Sequence, residues 1–220
     1  MQAGKPSDGI NQPRLPHMTT MSDAESSSNL PQPEAASTEA MVQATRHWVD
    51  TAVIGLNLCP FAKAVQTKGL VHYTVSQAQD TRSLLKDLAK ELITLADLPP
   101  EQRDTTLLIV PYVLQDFLDF NDFLDDADAL LEHLNLADQL QIADFHPNYQ
   151  FAGTEAGDVS NYTNRAPYPT LHLLREDSID LAVEAFPDAS AIFERNIDKL
   201  EELGLEGLRK LGIAYGADKA

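Results

Sequence analysis

The run Thr106-Leu107-Leu108-Ile109-Val110 constrains this chain more than any other feature. It is aliphatic and β-branched with no alternation of polar and apolar positions, so the strand it predicts must be covered on both faces. The cover lies on either side in sequence. Upstream, Asp80 or Thr81 opens a helix in which Leu84, Leu85, Leu88, Leu92, Leu95 and Ala96 form one stripe, closed by Pro99 and Pro100. Downstream, after Pro111, residues 115–134 repeat at helical spacing with Phe117, Phe120, Leu124, Leu131 and Leu134 on one side. Strand-like runs obey the same logic at residues 70–75, 140–145 and 170–174. Strands alternating with helices imply right-handed crossovers and a mainly parallel sheet. The fourth strand is reached without an intervening helix, which leaves it to pair antiparallel at an edge or in the middle. The fold expected is therefore α/β, a single domain over residues 39–213 whose mixed, mainly parallel sheet has about four strands packed with helices.

The ends of the domain read as helix. Thr38 is a candidate N-cap, and Met41, Thr45, Trp48, Ala52 and Leu56 recur at three- and four-residue steps until Asn57. Pro60 can open a short helix to Gln66, ended near Gly69. Two helices are expected over 178–185 and 189–203, with Gly204 as C-cap candidate. Residues 1–38 are a different material: they carry Pro6, Pro13, Pro16, Pro31, Pro33 and the run Ser26-Ser27-Ser28, and few large apolar side chains. Such a segment cannot offset its ordering entropy, so a disordered N-terminal tail is expected, with a flexible C-terminus over 214–220.

Charge and cysteine content remove several classes of function. Sixteen basic against 34 acidic residues leave a formal charge of −18. That field repels nucleic acid and anionic lipid, so neither is an expected partner. One cysteine allows no internal disulfide and no Cys-rich zinc site. No apolar run approaches the ~18 residues of a membrane span, and the N-terminus lacks the apolar stretch of a secretory signal. An acidic, soluble, cytoplasmic protein is expected. The Gly-rich nucleotide fingerprints and the Gly-x-Ser-x-Gly nucleophile turn do not occur. Asp116, Asp119, Asp122, Asp125, Asp126 and Asp128 are interleaved with Phe and Leu at helical spacing, and read as the wet face of a helix rather than as a calcium loop.

Two stretches can carry chemistry. In Leu58-Cys59-Pro60-Phe61-Ala62-Lys63, a helix opening at Pro60 makes Cys59 its N-cap, where free backbone N–H groups and Lys63 favour the thiolate. Locally this resembles the opening of glutaredoxin and glutathione-transferase active sites, although Ala62 stands where a second cysteine would. The alternative is a buried cysteine acting as a small apolar residue. The other stretch, residues 145–169, leaves the end of a predicted strand, where open α/β sheets place their ligands. It brings together His146, Tyr149, Tyr162, Asn164 and Arg165, and the next strand adds His172 and Arg175. Histidine carries protons near neutral pH, and arginine grips carboxylates and phosphates with a planar fork. The structural alternatives are a strand-end cap for His146, a satisfied core histidine for His172, and backbone bridging for the arginines. Asp144 and His146 share a face at two-residue spacing, but without a third ligand no metal site is assigned.

Together the two stretches suggest a small-molecule enzyme or ligand-binding protein. His146 is its candidate acid or base, with Cys59 beside it if the fold allows. Arg165 and Arg175 hold a small anionic ligand, and Tyr149, Tyr162, Asn164 and His172 orient it. No cofactor is assigned, and the oligomeric state is open. A non-catalytic protein-interaction module using the aromatic loop 145–169 is one alternative, and a thiol redox protein using Cys59 is another. Three longer strings add a resemblance: Gly55-Leu56-Asn57-Leu58-Cys59-Pro60-Phe61-Ala62-Lys63, Phe145-His146-Pro147 with Tyr149-Gln150-Phe151-Ala152-Gly153, and Asn161-Tyr162-Thr163-Asn164-Arg165 with Pro167-Tyr168-Pro169. Over about residues 40–210 the chain resembles the bacterial family catalogued as domain of unknown function 1415. The resemblance implies a bacterial cytoplasmic protein with its Pro-rich tail outside the domain, and it brings no activity, cofactor or catalytic residue with it.

Overall fold

The computed structural model describes residues 37–185 and 190–216. The tail expected over residues 1–38 lies outside the described residues as far as residue 36, while Ser37 and Thr38 belong to the first helix and its cap. The end of the C-terminal expectation, at 217–220, also lies outside them. Four strands, β1 (Val71–Val75), β2 (Thr105–Ile109), β3 (Leu140–Phe145) and β4 (Thr170–Arg175), form one sheet in the order β1-β2-β4-β3. β1 and β2 are parallel, whereas β4 runs antiparallel to both of its neighbours. The strand that lacked a preceding helix thus lies in the middle of the sheet, and β3 becomes an edge. The physical reason is burial: Leu171 and Leu173 of β4 are fully covered, whereas four of the six residues of β3 are only partly covered.

Helices α3 (Thr81–Asp97) and α4 (Phe117–His133) cover one face. Leu84, Leu88, Leu92 and Leu95 from α3 meet Phe120, Leu124 and Leu131 from α4 over Leu108, Leu171 and Leu173. Both helices start on aspartate caps. Asp80 accepts from Ser83 N, and Asp116 accepts from Leu118 N and Asp119 N. Helices α1 (Thr38–Trp48) and α6 (Ser190–Lys210) cover the opposite face, where Trp48, Leu200 and Leu208 pack over Leu107. Two helix ends differ from expectation. Ser37, not Thr38, caps α1, because its side chain is the one that reaches Ala40 N. In α6 the backbone breaks at Gly204, with φ 63°, and helix resumes to Lys210. The left-handed break is one that glycine makes without a Cβ penalty.

Between α1 and α2 (Ala62–Thr67) the chain does something the periodicity did not predict. Residues Val49–Ile54 form a π-helical turn, in which Gly55 N reaches back five residues to Asp50 O at 3.0 Å. The wider turn continues the apolar stripe of Trp48 and Ala52 while rotating the next segment relative to a regular helix. Asn57 then takes φ 57°, and a turn over residues 58–61 leads into α2. At the other end of the domain the packed chain runs past the expected boundary at 213. Ala214 and Tyr215 lie against the second core, and a Cβ on Gly216 would collide with Pro147 O.

Candidate functional site

The face covered by α1 is not fully closed. A cavity of about 320 Å³ opens there beside the edge strand. Its floor is sheet: Leu107 of β2, His172 and Leu174 of β4, and Ala143 of β3, with Val71 and Thr105 at one end. Register explains the shared direction, since Leu107 lies opposite His172 and His172 opposite Ala143, so all three side chains rise from the same face. All five residues from Gln141 to Phe145 line it, so the cavity takes in the free edge of β3. One wall is the π-turn region, with Trp48, Val49, Val53, Cys59 and Phe61. The other is helix α5 (Glu176–Ala185), through Ser178, Ile179, Ala182 and Val183. Tyr149 and Asn164 stand at the end where β3 leaves the sheet.

Four of the eight side chains singled out in the sequence therefore share this cleft: Cys59, Tyr149, Asn164 and His172. His172 is the best oriented of them. Thr105 Oγ1 lies 2.6 Å from Leu173 O and 2.7 Å from His172 Nε2. A hydroxyl has one proton, and at 2.6 Å it must point at the carbonyl, since two lone pairs would otherwise face each other. Nε2 is then the protonated ring nitrogen and donates to Thr105, which leaves Nδ1 with its lone pair. No residue of the described chain donates to Nδ1. Burial pushes the ring down to about 4, so it is neutral near pH 7.

Cys59 differs from expectation in its acidity. Helix α2 begins at Ala62, with Phe61 at its N-cap, rather than at Pro60. The backbone N–H groups of Phe61 and Ala62 do favour the thiolate, but burial outweighs them and raises the thiol above its ordinary value. Lys63 is exposed, and it is not among the charges that act on the thiol.

The other four candidates lie elsewhere. His146 is fully buried against Phe117 and Phe120 of α4. Its Nδ1 accepts from Asn148 N at 3.0 Å, so Nε2 carries the proton and donates to Leu114 O at 3.2 Å. Burial lowers its pKa to about 4. Both nitrogens are engaged in holding the strand-end turn to Leu114, whose φ of 60° presents that carbonyl. Arg165 is also buried: Nε donates to Tyr149 O and Nη2 to Ala156 O, and its guanidinium lies 4.5 Å over the Tyr162 ring. Arg175 gathers the end of α3, donating to Leu95 O and Leu98 O at 2.6 Å and to Arg103 O. Neither arginine lines the cleft, and no lysine or arginine does among the described residues.

The loop that carries these residues is stitched to itself. Asn161, fully buried, accepts from Phe151 N and Thr154 Oγ1 and donates to Glu155 O. Tyr162 packs in the second core, and Tyr149, Phe151 and Tyr168 are each partly covered, so the loop presents no exposed aromatic patch. Sequence reasoning missed Thr105 and Ser178. Thr105 precedes the apolar run by one residue, yet nothing in the sequence says that its hydroxyl meets a histidine 67 positions away. Ser178 donates to Asp104 at 2.7 Å, tying α5 to the start of β2 across one end of the cleft.

Residues 40–210 match a family model described as a protein of unknown function (DUF1415). No curated protein and no solved structure matches the chain.

Proposed function

The chain belongs to the DUF1415 family, and from that premise we propose that it binds a small, largely apolar molecule in the cleft between the π-turn region and α5. The observation that carries this reading is the convergence of Cys59, His172, Tyr149 and Asn164 on one cavity whose walls are mainly aliphatic and aromatic, with Asp104, Thr105, Gln141, Asp144 and Ser178 as its other polar residues. Concave apolar sites with a few placed polar groups are the usual form of small-molecule sites. The π-turn supports it as well, because such insertions cluster at functional sites and this one supplies Val49 and Val53 to the wall. In this reading His146, Arg165 and Arg175 are scaffold: they hold the loop and the end of α3 in place through backbone carbonyls. An anionic ligand loses its expected partners, and a protein partner loses the exposed aromatic loop it would need.

The test uses N-phenyl-1-naphthylamine, a neutral probe that brightens in apolar surroundings. Trp48, the single tryptophan, lines the cleft and reports occupancy by energy transfer. Saturable binding of one probe per chain that quenches Trp48 is expected. It should be lost in Ala182→Phe, which fills the cleft from α5, and retained in Leu181→Ser, which removes an exposed side chain of the same helix. Loss in Leu181→Ser with binding retained in Ala182→Phe would place the probe on the surface and defeat the proposal.

A further inference from the structure

The polar groups of the cleft are unequal in sign and in direction. His172 offers an acceptor, Nδ1, whose protonation is settled by Thr105 at the opposite nitrogen. Asp104, lining one end, has a carboxylate that takes the Ser178 hydroxyl at Oδ1 and so fixes that donor away from a ligand. At the other end Asn164 Nδ2 donates to Asp144 O, so one of its two N–H groups is directed at the chain. The cleft contains no cationic side chain among the described residues. A carboxylate or phosphate entering it would meet no cation and would lie near the carboxylates of Asp104 and Asp144, so it would lose hydration that neutral donors alone do not restore.

We infer that the cleft selects molecules that carry a hydrogen-bond donor on an apolar body, a hydroxyl, an amide N–H or an amine, and that His172 Nδ1 is the acceptor that reads the donor. This names the ligand class of the site proposed above and rests on that reading. Leu107, Ala143 and Phe145 surround the imidazole, with the Phe145 ring centroid 6.0 Å from that of His172. A donor brought to Nδ1 therefore sits in a dry environment, where the hydrogen bond is stronger and its absence costs more. The lowered pKa of the ring keeps that lone pair available throughout the neutral range. Thr105 acts through His172 as a positioning residue.

Four molecules with one ring system separate the possibilities: 1-naphthalenemethanol, 1-naphthylmethylamine, 1-naphthoic acid and 1-methylnaphthalene, each titrated calorimetrically against the full chain at neutral pH. The alcohol and the amine should bind about tenfold tighter than the acid, and tighter than the hydrocarbon. His172→Leu should bring the alcohol down to the hydrocarbon while leaving the hydrocarbon unchanged, which a merely misfolded protein would not do. Thr105→Val should weaken the alcohol in the same direction by releasing the ring. If all four bind equally, or if the acid binds tightest, the donor preference is overturned and the apolar cleft stands. If none binds and N-phenyl-1-naphthylamine also fails, the cleft and the preference fall together.

Discussion

His146 and His172 are both neutral in the fold, one held by two backbone groups and one by a threonine, and both have acidities near 4 because burial disfavours the charged ring. A histidine in the unfolded chain titrates near 6.5. Above that pH neither state carries these protons, so the two residues leave stability unchanged. As pH falls from about 6.5 to about 4, the unfolded chain takes up two protons that the folded chain refuses. Stability is then expected to fall with a slope approaching about 2.7 kcal/mol per pH unit from this pair, levelling once both rings titrate in the fold. Denaturant titrations across that window check it, and His172→Gln should remove about half of that pair's slope. An unchanged slope would mean that His172 titrates normally in the fold. Cys59 gives the second expectation at this scale. Its alkylation rate by iodoacetamide should rise through a midpoint above the free-thiol value of about 8.5, and Lys63→Ala should leave that midpoint where it is. A midpoint below 8.5 would show the amides of Phe61 and Ala62 outweighing burial. The residue types were legible in the sequence, but their partners were not. A histidine reads identically whether it faces a carbonyl, as His146 does, or a cavity, as His172 does.

Among the elements, α3 and α4 were the most legible, because a leucine or phenylalanine stripe at 3.6-residue spacing has one physical solution in water. Asp80 was legible as the start of α3, since aspartate before a helix satisfies amides that have no intrahelical partner. Asp116 does the same for α4, although its spacing reads as part of that helix's wet face. It accepts from two of those amides at once. Asp116→Ala is expected to cost about 1 kcal/mol in denaturant, whereas Asp126→Ala, on the exposed face of the same helix, should stay within about 0.5 kcal/mol. Equal effects would mean that the charge of the helix, and not the cap, sets its stability. The π-turn was illegible for a simple reason. Trp48 and Ala52 keep helical spacing whether the turn is α or π, and the extra residue shows only in the hydrogen bond from Gly55 to Asp50. Arg175 was illegible differently. Its side chain completes α3, from which it is separated by 77 to 80 positions.

The whole chain carries a formal charge of −18 over 220 residues, so like charges crowd one another in the native state. Raising sodium chloride from about 0.01 to 0.3 M shortens the screening length from about 30 Å to under 10 Å. The melting temperature is expected to rise over that interval; a fall would show that local ion pairs, such as Arg103 with Glu91 at 2.9 Å, outweigh the general repulsion. At this scale the sequence by itself determined the α/β class, the four strands, and the helices that cover the central run at 106–110, because apolar periodicity is local and water enforces it residue by residue. Only the tertiary structure decided that the antiparallel β4 lies between β2 and β3 rather than at an edge, since strand order depends on which strand most needs cover on both faces. It also decided which candidates meet. Cys59 and His172, 113 positions apart, line one cleft, whereas His146 and Arg165, neighbours of Tyr149 and Asn164 in the same loop, turn into the scaffold. Along a strand or loop the side-chain direction reverses within one or two residues, so the sequence brings reactive groups near one another without saying which of them share a space.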